Sequence, residues 1–201
     1  MASLEEIRQA RLEKIEKLKA AGMDPFTSES FRTHTIVEAI ASFDVLAADT
    51  KEITLAGRIM TLRGQGGLVF FNFTDGSGQF QGMAKKGEMD DVLFDLFTDT
   101  VDIADFIEVT GTLFLTKTGQ QTILAKKWRM LTKSLAPLPD KWHGLQDIEE
   151  RFRKRYLDIL TVPEIRELFE KKSKFWDVTR TFMKERGFLE VETPTLEVTT
   201  G

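Results

Sequence analysis

The sequence has no cysteine, one tyrosine and two histidines among 201 residues. Without cysteine there is no disulfide framework, no thiolate metal site and no cysteine nucleophile. His34 and His143 have no metal-ligand spacing and read as structural or surface residues, so no metal site is expected. No apolar run approaches the ~20 residues that a membrane span needs. The N-terminus is charged and amphipathic and lacks the apolar block of a signal peptide. These absences lead to the expectation of a cytoplasmic protein with no membrane partner. The chain is 41% apolar and 30% charged, which argues against whole-chain disorder and fibrous repeats. Its length allows one large domain or two small ones.

Net charge is −4, from 28 basic and 32 acidic residues. That sum argues against a polyanion partner, but it hides the distribution. Eight acids fall in one run from 85 to 108: Glu88, Asp90, Asp91, Asp95, Asp99, Asp102, Asp105 and Glu108. The rest of residues 51–135 has eight basic residues against Glu52 and Asp75. A mildly basic body with a detached acidic insert is one reading, and a solvated helix and loop is the plainer reading of the run.

Periodicity divides the chain. Ser3 and Glu6 form a capping box for a first helix, with Gly22 as its stop. Its apolar stripe is thin, and Arg8, Arg11, Lys14, Lys17 and Lys19 interleave with acids. It is either a solvated helix on a core or an arm that touches a polyanion. Thr35 and Glu38 open a second helix in the same way. From residue 52 the period becomes two. Strands are expected near 52–60, at 68–74 and at 79–84, the last two joined by the Asp75-Gly76-Ser77-Gly78 turn. A short helix at 89–97 and strands at 106–116 and 121–131 follow. Three strands, a helix and two strands is the order of the five-stranded OB barrel, a fold that often binds oligonucleotides. Ser134 to Asp147 reads as a linker. Helices fit 148–160 and 163–186, and a short strand fits 188–192.

Strand parity sorts the barrel faces. Val69, Phe71 and Phe73 form an apolar set for the core, which turns Phe70 and Asn72 outward. Phe80 points inward, so Gln79 and Gln81 point outward. With Arg58 and Arg63 of the first strand or its following loop, they form a candidate platform. A ring stacks on a base, an amide pairs with a base edge and a guanidinium meets phosphate. The other reading is an ordinary contact beneath a loop or a neighbouring domain.

Several strings together carry a resemblance. They are Gly57-Arg58-Ile59-Met60-Thr61, Thr116-Lys117-Thr118-Gly119 and Leu131-Thr132-Lys133-Ser134-Leu135. More specific are Pro137 to Asp147, Arg153-Lys154-Arg155-Tyr156-Leu157-Asp158, and Arg186 to Pro194. In order and spacing the chain resembles the N-terminal part of bacterial-type lysyl-tRNA synthetases, class II enzymes. The resemblance implies a helical extension over 1–50, an anticodon-binding OB domain over 51–135, and a linker over 136–147. It implies the start of an α+β class II catalytic domain over 148–201. Such enzymes join lysine to its tRNA through a lysyl-adenylate, using ATP and Mg2+, usually as homodimers. Their OB barrel reads a uridine-rich anticodon.

By the same resemblance Phe70 stacks on an anticodon base, Gln81 reads a uridine edge and Arg63 contacts the anticodon from a loop region. Gln120 stands where many members have glutamate, which puts a fourth contact in doubt. Gly64, Gly66 and Gly67 replace bulkier residues and suggest a mobile tip. Gly187 and Pro194 fall in the first class II motif, at the dimer interface; read alone they are turn punctuation. The second and third motifs are not among these residues. The resemblance therefore implies a piece of a longer enzyme that binds lysine tRNA without aminoacylating it or holding ATP or Mg2+. Residues after about 150 are expected to be disordered or to form an altered dimer. Two alternatives stay open: an OB module binding protein, through the acidic run, or generic single-stranded nucleic acid; and the related aspartyl or asparaginyl synthetase.

Overall fold

The computed structural model of the chain describes residues 3–139, 145 and 147–193. It divides into two compact units, Met1–Leu138 and Pro139–Gly201.

In the first unit, α1 (Leu4–Ala20) begins at the capping box: the Ser3 hydroxyl accepts from the Glu6 N–H, and the Glu6 carboxylate accepts from the Ser3 N–H. The helix closes at Gly22 and Met23, whose N–H groups donate to Lys19 and Leu18 carbonyls. The second expected helix is two short ones, α2 (Ile36–Ala41) and α3 (Phe43–Ala48), divided at Ser42. Thr35 and Glu38 make their capping box.

Five strands then close a barrel: β1 (Ile53–Gln65), β2 (Leu68–Thr74), β3 (Gln79–Lys85), β4 (Phe106–Leu115) and β5 (Gln121–Thr132), in the order β1-β2-β3-β5-β4. The β3–β5 pair is parallel and the other pairs are antiparallel. Between β3 and β4 lies α4 (Asp91–Thr100), capped by the Asp90 carboxylate. It places Phe94 and Phe97 in the core, with Phe97 edge-on to Trp128 at 5.2 Å. Burial along β2 and β3 alternates as parity predicts, with Val69, Phe71, Phe73 and Phe80 buried. Gly82 is required by its neighbour: a Cβ there would stand 2.2 Å from the Phe71 ring.

The acidic run is not a detached insert, nor simply a solvated face. Lys133, fully buried, donates to Asp102 and Asp105 at 2.6 Å each and to the Thr100 carbonyl at 2.7 Å. Burial pushes the Asp105 carboxyl up, against the pull of Lys133 and the N–H groups of Asp102 and Ser134. Burial also works to raise Asp102, but Lys133 and Lys14 outweigh it and hold that carboxyl below its ordinary value. Glu108 is buried and accepts from Arg129, Ser30 and the Phe31 N–H. Glu88, Asp95 and Asp99 pair with Lys126, Lys86 and Lys17. The run is short of free charge because its partners fold onto it from distant positions.

The same pairs engage several of the cations of α1. Arg11 is buried and donates to the carbonyls of Ser134, Ala136 and Ile103 at 2.9, 3.0 and 3.2 Å. Lys14 reaches Asp102 and Lys17 reaches Asp99. Three of the five cations therefore hold the helix to its own barrel.

In the second unit the 148–160 helix is broken at Lys154 into α5 (Ile148–Arg153) and α6 (Arg155–Thr161). The buried Asp158 carboxylate accepts from Arg151 and Arg155 on either side of the break. Next comes α7 (Pro163–Glu185), with proline in its first turn, where the missing N–H is not needed. Among the described residues it buries none; Phe175, Trp176 and Phe182 lie open. Residues 188–193 are not a strand. A strand needs a neighbour's N–H and C=O groups, and among the described residues none pairs with them. Instead Glu190 turns back to Arg180 and Lys184 on α7.

Candidate nucleic-acid interface

The groove of interest lies on the outer face of β1, β2 and β3, beside the β4–β5 turn. Register sets two rows across it. In one, Thr61, Asn72, Gln81 and Thr122 are successive partners on β1, β2, β3 and β5. In the other, Arg63, Phe70 and Met83 are partners on β1, β2 and β3. Thr61, Asn72 and Gln81 of the first row and all three residues of the second, with Phe114 and the turn residues Thr116, Lys117 and Thr118, line an open cavity of about 580 Å³; Thr122 lies buried behind Gln81.

A bulge between Ile59 and Thr61 makes this face. Ile59 is in the core, yet Thr61 lines the groove, although the two share sequence parity. The extra residue turns the rest of β1 over. Arg63 is thereby a strand residue opposite Phe70, not a loop residue. Gly64 is likewise paired, with Val69, and Gly66-Gly67 form the tight turn of the hairpin.

Three of the sequence candidates, Arg63, Phe70 and Gln81, come together in this groove. Phe70 lines the groove and is half-buried, so part of its side chain stays open to solvent. The Gln81 amide donates to the Thr122 hydroxyl at 2.9 Å. Arg63 and Lys117 supply positive charge at the margins. Gln120 is not among the lining residues. It is exposed in the β4–β5 turn, where its N–H donates to the Thr116 hydroxyl and its carbonyl accepts from the Thr116 N–H and the Thr122 hydroxyl. Arg58 is also apart. It pairs with Thr74, four positions from Phe70 on β2, or about 13 Å along the strand. There its guanidinium stacks on Phe106 at 4.3 Å, and burial lowers its pKa. Met83 carries a legible signal, the same parity as Gln81. Lys117 carries none beyond its place in a turn.

Gly187 stands in the second unit, at the end of α7. Its φ of +82° suits glycine, and its N–H and that of Phe188 close the helix on Lys184 and Met183 carbonyls. Pro194 lies outside the described residues, as do Asp140 to Gly144 of the linker string. Among the described residues no group of three or more His, Asp or Glu could hold a metal ion. None of the described helices is long and apolar enough to cross a membrane.

A closed five-stranded barrel in this strand order is an OB fold, and residues 53–131 match the OB-fold nucleic acid binding domain family. Residues 147–201 match the tRNA synthetases class II (D, K and N). Within that class the chain resembles the N-terminal part of lysine–tRNA ligases. It is 47% identical over 195 residues to "Lysine--tRNA ligase" of Roseiflexus sp. (strain RS-1), covering 96% of this chain and 40% of that protein. It is 41% identical to the proteins of that name from Dehalococcoides mccartyi (strain BAV1) and Halalkalibacterium halodurans, covering 98% of this chain and 40% of each. The chain thus spans about two fifths of the length of the curated relatives it matches.

Proposed function

We propose that this chain recognises the anticodon of lysine tRNA, as part of an enzyme that attaches lysine to its tRNA with ATP. The observation that carries the reading is the convergence of Phe70, Gln81 and Arg63 on one open groove of the barrel. A single-stranded loop has unstacked bases that need an aromatic platform, edge-reading amides and cations for its phosphates. Phe70 supplies the platform, Gln81 the edge contact, and Arg63 and Lys117 the positive charge. Gln120 acts through its backbone, shaping the turn beside the groove. The names of the relatives favour lysine over the other amino acids of the D, K and N group.

By the same reading ATP and Mg2+ act in the part of the whole enzyme that carries the second and third class II motifs. These 201 residues bind tRNA and do not aminoacylate it. The domain division over 1–50, 51–135, 136–147 and 148–201 belongs to the same reading. So do a cytoplasmic location and a homodimer in which Gly187, Pro194 and the open face of α7 lie at the interface.

The reading is tested by titrating the chain with a uridine-rich lysine anticodon stem-loop and with the same stem carrying a scrambled anticodon. Tighter binding of the first is expected, and equal affinity overturns it. A stem-loop with the aspartate anticodon, bound as well as the lysine one, moves the chain to the sister specificity.

A further inference from the structure

We infer that Thr122 makes the groove selective for one base, by holding the Gln81 amide in a single orientation. The inference rests on the reading that the groove takes an anticodon uridine.

Thr122 has no solvent exposure, although it stands in register beside Gln81 on the groove face. Its neighbours Ile123 and Ala125 are in the core. A hydroxyl has one proton to give. Thr122 gives it to the Gln120 carbonyl, at 3.1 Å. Its oxygen must then act as acceptor toward Gln81, 2.9 Å away. That fixes the Nε2 end of the Gln81 amide on Thr122 and turns Oε1 away from it.

A glutamine amide is an acceptor at one end and a donor at the other. Turned over, it would set Oε1 against a hydroxyl whose proton is already committed. Reversal therefore costs one of these two part-buried hydrogen bonds. Uridine and cytidine differ by such a reversal on the edge they present. Uridine has an N3–H donor beside the O4 acceptor; cytidine has a bare N3 acceptor beside the N4 amino donor. A free amide meets either base by turning over. A tethered amide meets one of them and opposes the other. Discrimination then comes from a residue that touches no base. Thr122 is a positioning residue, and the Gln120 backbone is the anchor behind it.

The experiment uses the whole chain, with two stem-loops that differ by uridine or cytidine at one anticodon position, tried at each position in turn. The wild type is expected to prefer uridine at the position Gln81 reads. Thr122→Val keeps the shape and removes the hydroxyl; it should lower the uridine-to-cytidine affinity ratio by about fivefold to tenfold. Thr122→Ser should retain the wild-type ratio. If Thr122→Val weakens both loops equally and leaves the ratio unmoved, Thr122 is merely structural and the inference is overturned, while the anticodon reading stands. If the wild type does not distinguish the loops at any position, the anticodon reading fails and the inference with it. A second measurement needs no variant. In the free protein the Gln81 Nε2 protons should show nuclear Overhauser contacts to the Thr122 side chain, and their absence also overturns it.

Discussion

Lys133 Nζ stands 2.6 Å from Asp105 Oδ2, and neither side chain is open to solvent. Asp102 reaches the same ammonium at 2.6 Å, and Arg11 and Lys14 of α1 border the cluster. Taking charges out of water is costly, and a buried pair is sound only while both partners remain. Lys133→Met leaves Asp105 with no cation in contact and should destabilise the barrel unit by about 3–5 kcal/mol. Urea unfolding followed by amide exchange on the strands measures this. A loss within experimental error would show that the pair is incidental.

Arg11 supports the position of α1 through three backbone carbonyls. Arg11→Ala should cost about 2 kcal/mol, the scale of hydrogen bonds to a charged group. Amide exchange in α1 should speed up far more than in β1 to β5. Equal protection of α1 in both proteins would assign its docking to Ile15 and Leu18 alone.

These contacts mark where a sequence stops being legible. The strands of the barrel are legible because a two-residue period is local and Val69, Phe71 and Phe73 repeat it without a break. Parity alone also turns Phe70 and Gln81 outward. The acidic run is illegible because its partners are remote: Asp102 meets Lys14, and Asp105 meets Lys133. Nothing in a local window of charges reveals that. The bulge in β1 is equally hidden. Without it, Arg58 and Arg63, five residues apart, fall on opposite faces; with it they share one face but stand at different heights. Register, not residue type, separates Arg63 beside Phe70 from Arg58 on Phe106.

Asp75 ties the β2–β3 hairpin to the start of α2. Its carboxylate accepts from the Ile36 N–H at 2.9 Å and from the Ser77 hydroxyl and N–H. Burial works to raise its pKa, but the hydrogen bonds from Ser77, Ile36 and Gly78 prevail and hold it below the ordinary 3.8. A depressed carboxylate contributes stability that is complete above its unfolded value and is lost as pH falls through the folded one. Barrel stability should therefore drop below about pH 4. Asp75→Asn should be less stable at pH 7 and should lose less across that acid window. Identical acid slopes for the two proteins would remove Asp75 from the account.

Gly82 lets the Phe71 ring cross β3. With a Cβ placed 2.2 Å from that ring, Gly82→Ala must move an aromatic already fixed against Phe73 and Phe97. The expected cost is about 1–3 kcal/mol, the range for an overpacked core. Thermal unfolding reads it directly. An unchanged midpoint would mean that the core around Phe71 has slack.

If the groove beside Phe70 takes an anticodon base, Phe70→Ala removes the ring on which that base stacks. Phe70 faces outward and is half-buried, so its removal should leave the barrel folded. Titration with the lysine anticodon stem-loop should show affinity weakened by about 1–3 kcal/mol, the contribution of one base stacked on an aromatic ring. Unchanged affinity in a folded Phe70→Ala protein would contradict the account and move recognition away from this groove.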